Sequence, residues 1–163
     1  MRRVGRGTFV ASAADRDEAG GGLQTSPAEI MAARLLLEPE LTALAARHAT
    51  PADLDRMRHC ATRSAGAGTH EEFESWDGVL HRSIAQGAHN TLLLQMFDVM
   101  NAARSLPVWG NIKRRSASPA RRAGYEQAHR LIIEALADRD PDTARDHMRA
   151  HLIDVRLNLL GPN

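Results

Sequence analysis

The sequence predicts an all-α fold, an antiparallel bundle of six to seven helices. Apolar residues make up 43% of the chain and aromatic residues only 4%, with Ala and Leu dominant, whereas strands favour aromatic and β-branched side chains. Four times, a residue that caps helices stands directly before a proline, which fits the first helical position because its missing N–H would be unpaired there. These pairs are Ser26-Pro27, Thr50-Pro51, Ser118-Pro119 and Asp140-Pro141.

The helix starts and breakers divide most of the chain into elements. We expect helices at roughly 27–48, 51–64, 70–87, 90–106, 119–138 and 141–160. Ser26 with Glu29, and Thr69 with Glu72, match the capping box, in which two side chains pair reciprocally with backbone N–H groups. Pro39 should kink or shorten the first helix, and Pro107 should end the fourth. The basic segment 109–117 is predicted to be a loop.

Residues 1–25 differ in composition from the rest and are predicted to be a separate segment. Five glycines and no helical period are typical of a linker. Residues 26–163 are long enough for one domain with its own core. A net charge of +1 gives no global attraction to nucleic acid, and Cys60 has no intramolecular disulfide partner. Without an apolar run long enough to span a membrane, the sequence predicts a soluble cytoplasmic protein.

Asp77 and His81 are the first candidate site residues. They are four apart, hence about 40° apart around one helix, and can reach a common ion. Phe73 and Ile84 share their face, which should therefore point into the core. A buried carboxylate and imidazole need a partner that offsets their desolvation. A hydrogen-bonded Asp–His pair would also satisfy both groups, so this pair alone leaves two interpretations open.

The last two helices add His129 and His151. They form a hairpin that turns near residues 138–140, and each histidine lies eleven residues from Asp140. Residues equidistant from the turn lie at the same height, so both imidazoles should point inward at one level. Three histidines and one aspartate suit a divalent metal, zinc first, with nickel, manganese or iron as alternatives. His147 could replace His151 as a ligand, although its counterpart across the hairpin is the apolar Ile133.

Arg34 is a further unusual residue, since its helical neighbours are apolar. It could form an i,i+4 pair with Glu38, or its guanidinium could bind a carboxylate ligand. The chain has no phosphate-binding Gly-rich loop, no nucleophile motif and no His-Glu-x-x-His pair, so an enzyme is not predicted. Glu126 and His129 match half of a di-iron bundle site, but such a site needs two copies of that motif.

These residues together resemble a known family. The stretch Arg34-x-x-x-Glu38-Pro39, then Asp77-x-x-x-His81 and Asn90, is similar to the FCD ligand-binding domain of GntR-type bacterial transcription regulators of the FadR subfamily. The stretch from His129 to His151-Leu152 continues the likeness, which covers about residues 27–160. The resemblance implies a central pocket in which Asp77, His81, His129 and His151 hold the metal. It also implies Arg34 and Asn90 as contacts for an organic-acid effector.

The resemblance also bears on the N-terminus and on partners. Gly5-Arg6-Gly7-Thr8-Phe9-Val10 resembles the end of the wing of a winged helix-turn-helix, so 1–25 is interpreted as a wing remnant plus linker. We therefore expect a homodimeric effector-sensing domain, residues 26–163, that acts on DNA only through a winged helix missing from this chain. The alternative is a stand-alone metal-dependent enzyme, or a small-molecule binding protein with no DNA partner.

Overall fold

The computed structural model describes residues 25–162, which form seven α-helices and a short 3-10 turn at Ala103–Ser105. The α-helices are α1 (Pro27–His48), α2 (Pro51–Ala65), α3 (His70–Gly87), α4 (Thr91–Ala102), α5 (Pro107–Ser116), α6 (Pro119–Ala137) and α7 (Pro141–Leu160). No strand occurs in residues 25–162, and the all-α prediction is confirmed. The predicted wing remnant and linker lie outside the described residues, apart from Thr25.

The helix starts follow the capping residues that the sequence displays. In each case the N-cap side chain accepts a hydrogen bond from the backbone N–H three residues later. The capping box of Ser26 and Glu29 is complete. Thr69 caps α3 by accepting from Glu72, but the Glu72 carboxylate accepts from the N–H of Gly68 instead of completing the predicted box.

The segment after α4 differs from the prediction of a loop at 109–117. Pro107 ends the preceding element but also occupies the first position of α5, which runs to Ser116. Trp109 and Lys113 lie four residues apart on the buried face of this helix. The basic composition of the segment favoured a solvated loop. The buried Lys113 is instead compensated by an ion pair with Glu74 of α3, which the local sequence does not display. Pro39 lies inside α1 and does not shorten it, since the helix runs from Pro27 to His48, which is the predicted range.

The helices pack so that α1 lies against α7, α2 against α3, and α6 against α7, with α3 also contacting α1 and α4. Their close approach is visible at Gly87, where an added Cβ would lie 2.7 Å from the Cε of Met57. The α6–α7 hairpin turns at Arg139, which adopts a left-handed φ of 59°, as is common just after a helix end. Within the described range, none of the helices is long and apolar enough to cross a membrane.

Candidate metal centre

Three helices bring four potential metal ligands together in the core. Asp77 and His81 come from α3, His129 from α6 and His151 from α7. All four are buried, with exposed fractions between 1% and 4%. One ligand atom from each lies within 4.8 Å of the ligand atoms of the others. The structure thus brings together the four residues that the sequence singled out for a metal.

Local geometry explains this convergence. The i,i+4 spacing on α3 places Asp77 and His81 on the buried face with Phe73 and Ile84. The α6–α7 hairpin places the imidazoles of His129 and His151 side by side, with ring centroids 4.7 Å apart. The ring of His81 lies 5.5 Å from that of His129 and 5.3 Å from that of His151.

The cluster contains imidazole nitrogens without partners. Nε2 of His129 lies 3.3 Å and Nε2 of His81 lies 3.7 Å from Oδ1 of Asp77. Neither nitrogen has a hydrogen-bond partner among the described residues, and nor does either nitrogen of His151. An unpaired buried polar group costs about 1–3 kcal/mol. Because imidazole nitrogen and carboxylate oxygen are ligands that divalent transition metals favour, these four residues fit such an ion.

The protonation states of the cluster also suit metal ligation. Burial lowers the pKa of His81 despite the nearby carboxylates, and burial together with the other histidines lowers the pKa of His151 well below its usual range. Burial would raise the pKa of Asp77, but neighbouring groups that include the permanently charged Arg104 hold it well below its usual range. At neutral pH these two imidazoles are therefore neutral and Asp77 is ionised, as metal binding requires.

Glu38 on α1 orients His81. Its Oε2 lies 2.5 Å from Nδ1 of His81, and its Oε1 accepts a hydrogen bond of 2.6 Å from Nε of Arg34. The ionised glutamate can only accept, so Nδ1 carries the proton and Nε2 presents its lone pair to the cluster. Partners of this kind typically fix the orientation and tautomer of a ligating histidine.

Arg104 orients Asp77 from the other side. It lies in the 3-10 turn after α4, and its Nη2 donates to Oδ2 of Asp77 at 2.6 Å. That bond leaves Oδ1 facing the histidines. Arg104 also lies 4.0 Å from Glu74, which pairs at 2.9 Å with Nζ of the buried Lys113.

Sequence reasoning missed Arg104, Glu74 and Lys113. Only one local signal was present: Glu74 stands three residues before Asp77, hence near it on α3. Arg104 and Lys113 reach the cluster through the arrangement of α4 and α5, and no sequence spacing displays that arrangement. Tyr125 also lies next to the cluster, with its ring centroid 5.6 Å from that of His151.

The remaining candidates from the sequence lie as follows. Arg34 is only 1% exposed and forms the pair with Glu38 that was one of its two interpretations. Asn90 is exposed and caps α4, its side chain accepting from the N–H of Leu93 at 3.0 Å. His147 is half-buried and lies outside the cluster. Glu126 pairs with Arg122 at 2.9 Å.

The domain is an all-α bundle built around a buried candidate metal site of one aspartate and three histidines. The chain belongs to the FCD domain family, which matches residues 29–154. Its relatives are regulators of the GntR family and not enzymes.

Individual relatives support this assignment. The chain is 29% identical to the Uxu operon transcriptional regulator of Escherichia coli over 82% of its own length and 54% of that protein. It is also 29% identical to the putative L-lactate dehydrogenase operon regulatory protein of E. coli, over 80% of the chain and 50% of that protein. The chain thus spans about half the length of these curated relatives.

Solved structures share the fold. E. coli McbR/YncC superimposes with a TM-score of 0.71 at 19% identity, covering 81% of this chain and 63% of that one. Streptococcus agalactiae GntR superimposes with a TM-score of 0.63 at 24% identity, covering 78% of this chain and 56% of that one. At such identities the likeness supports the fold alone.

Proposed function

We propose that residues 26–163 are the effector-sensing and metal-binding domain of a GntR-type transcription regulator. In this proposal the domain controls DNA binding by a winged-helix domain of the same regulator. The observation that carries it is the buried cluster, in which one ligand atom from each of the four side chains lies within 4.8 Å of the others. Among the described residues, four imidazole nitrogens of this cluster have no hydrogen-bond partner. The curated relatives are transcription regulators, which supports the regulatory part of the proposal.

The metal would be held by Asp77, His81, His129 and His151. Zinc is the first candidate, with nickel, manganese or iron as alternatives, because nitrogen and carboxylate ligands suit each of them. When bound, such an ion supplies a Lewis-acidic centre that attracts an anionic oxygen of a ligand. Glu38 and Arg104 would keep His81 and Asp77 oriented toward it.

The effector in this proposal is a small organic acid. One relative is named for an L-lactate dehydrogenase operon, which points to 2-hydroxy acids as a first class to test. Arg34 is a proposed contact for the carboxylate, since its guanidinium lies beside His81, with Nη2 3.4 Å from Nδ1. Binding there would require the acid to share Arg34 with Glu38. Asn90 stays a proposed pocket residue on the family resemblance alone.

The partners follow from the same proposal. The regulator would act in the cytoplasm as a homodimer and would contact DNA through its winged helix. An apolar stripe on α4 supports a protein partner on this face, because Leu92, Met96 and Val99 are 65%, 51% and 64% exposed. Single exposed apolar residues are common, whereas a continuous stripe along one helix is typical of an interface.

The test is metal reconstitution followed by elemental analysis. Metal-stripped protein should retain about one equivalent of zinc, and a ligand at a hundredfold excess over its dissociation constant should add about 2.7 kcal/mol of stability. His151→Ala should abolish both effects. His147→Ala is the matched control, because it removes a histidine from the same helix one turn away and should retain the metal. Wild-type protein that binds no metal would refute the proposal.

A further inference from the structure

A network of ionised side chains joins the cluster to the protein surface. Arg34 pairs with Glu38, which contacts His81; on the opposite side Arg104 links Asp77 to Glu74, and Glu74 pairs with Lys113. Three carboxylates therefore pair with three cations, and the formal charges of these six side chains balance.

A divalent metal at the four proposed ligands would change this balance. It would add two positive charges to a network whose carboxylates are all already paired. Arg34, Glu38, Asp77 and Lys113 are at most 5% exposed, so water screens them poorly. An uncompensated charge in such surroundings is costly, and an anion that enters from outside offsets it.

A cleft next to the network provides the space for that anion. It has a volume of about 420 Å³ and is lined by Glu74, Arg104, Trp109 and Lys113. Arg104 contacts both this cleft and Asp77, so it stands between the outside and the cluster. The ring centroid of Trp109, which also lines this cleft, lies 5.9 Å from the guanidinium carbon of Arg34. The cationic wall of the cleft is thus adjacent to the proposed metal ligands.

We infer that the metal-loaded domain selects a dianionic organic acid over a monoanionic one. One carboxylate would bind at the cluster, and the second would lie in the cleft against Arg104 and Lys113. This inference rests on the proposed function and refines it, because it adds a second anionic group to the effector and assigns Arg104 and Lys113 to that group. It also makes the two residues determinants of specificity, distinct from the ligands of the metal.

The experiment compares matched acids by calorimetry on metal-loaded protein freed of excess metal. The pairs are malate with 2-hydroxybutyrate and succinate with butyrate, in which a methyl group replaces one carboxylate. At least one diacid is expected to bind about tenfold or more tightly than its partner. The metal-free protein should lose this preference. Metal content is measured before and after each titration, because diacids can also chelate the ion.

Variants of the cleft separate the network from general charge effects. Lys113→Met keeps an unbranched apolar side chain but removes the ammonium group, whose Nζ lies 5.4 Å from the centroid of the Tyr125 ring. It should reduce the preference about fivefold or more, because Lys113 is buried and water would screen its contact with a second carboxylate only weakly. Arg114→Gln is the control, because Arg114 lines the same cleft but is exposed, and its guanidinium donates to the side chain of Asn111. It removes the same charge and should leave the preference unchanged.

The outcomes distinguish the two proposals. Three results from fully metal-loaded protein would overturn the dianion inference alone. These are equal affinities for diacid and monoacid, no measurable binding of any diacid, and equal effects of Lys113→Met and Arg114→Gln on the preference. Failure of the wild-type protein to retain metal would overturn the proposed function, and the inference with it.

Discussion

Replacing Arg34 by methionine tests the energetic role of the buried pair on α1. The guanidinium is 1% exposed, and its Nε bonds to Glu38 at 2.6 Å. Methionine fills much of the same volume but leaves the carboxylate with His81 as its remaining partner. Glu38 would then be a buried anion with one hydrogen bond instead of two.

The structure sets the expected magnitude. Removing one partner of a buried ion pair typically costs about 3–5 kcal/mol. We expect the lower end, about 3 kcal/mol, because His81 still donates to Glu38. In a chain of this size each kcal/mol shifts the melting temperature by about 2–4 °C, so Arg34→Met should melt about 6–12 °C lower.

The assay is urea unfolding of the metal-free protein. The double variant with Arg34→Met and Glu38→Gln removes both charges and keeps an amide oxygen that can accept from Nδ1 of His81, so it should recover most of the loss. Arg145→Met is the surface control: Arg145 pairs with Glu40 at 3.1 Å, their side chains are 27% and 54% exposed, and its loss should cost at most about 1 kcal/mol. If Arg34→Met costs no more than Arg145→Met, the pair does not stabilise the fold as argued.

The same variant separates the two interpretations of Arg34. If Arg34 contacts the effector, Arg34→Met should also weaken the best-binding acid, measured by calorimetry at a temperature where the variant is folded. Loss of one partner from a buried charged contact typically costs about 2–5 kcal/mol of binding energy. Unchanged acid affinity in a destabilised Arg34→Met protein would leave Arg34 with a structural role only.

Three further predictions follow from other parts of the molecule. Burial would raise the pKa of Asp53, but hydrogen bonds from Thr50 and His89 outweigh it and hold that pKa at about 2, below the ordinary 3.8. The ionised Asp53 therefore contributes its full stabilisation above about pH 3.8 and loses it as the pH falls toward 2. In urea unfolding measured as a function of pH, Asp53→Asn should make the free energy of unfolding fall less steeply below about pH 4; an unchanged slope would contradict this. Light scattering at micromolar concentration should give a dimer, and Met96→Glu should weaken it; a wild-type monomer would count against the interface. Since residues 25–162 contain no winged helix, the purified chain should give no sequence-selective shift of DNA, and a tight, selective shift would refute this.

Much of the fold could be predicted because its signals are local. Capping residues mark where helices begin, and the distance of each histidine from Asp140 places both at one height in the hairpin. The i,i+4 spacing of Asp77 and His81 requires only helical geometry. Such features depend on a few neighbouring residues, so a single sequence displays them.

The second layer of the site could not be predicted in the same way. Lys113 belongs to a basic run that resembles a solvated loop, and only the packing of α5 brings it to Glu74. Arg104 reaches Asp77 across 27 residues of sequence. The sequence displays Glu38 as an i,i+4 partner for Arg34, whereas its contact with His81 across 43 residues, which orients a candidate ligand, is visible only in the folded chain. These pairings depend on tertiary arrangement, which local patterns do not encode.

The pairing of three carboxylates with three cations around the cluster bears on how such a domain would respond to its ligands. A zinc finger is unfolded without its metal because its ligands supply most of its folded interactions. In this chain the six charged groups cancel without an ion, and helices α1, α6 and α7 pack through an apolar core that includes Met31, Ile132 and Leu152. The metal-free domain should therefore be folded, as the unfolding assay requires. Metal and acid would then bind to a bundle that is already folded. Their binding energy would not be used for folding, and it could shift the bundle between two conformations that bind metal and acid with different affinities.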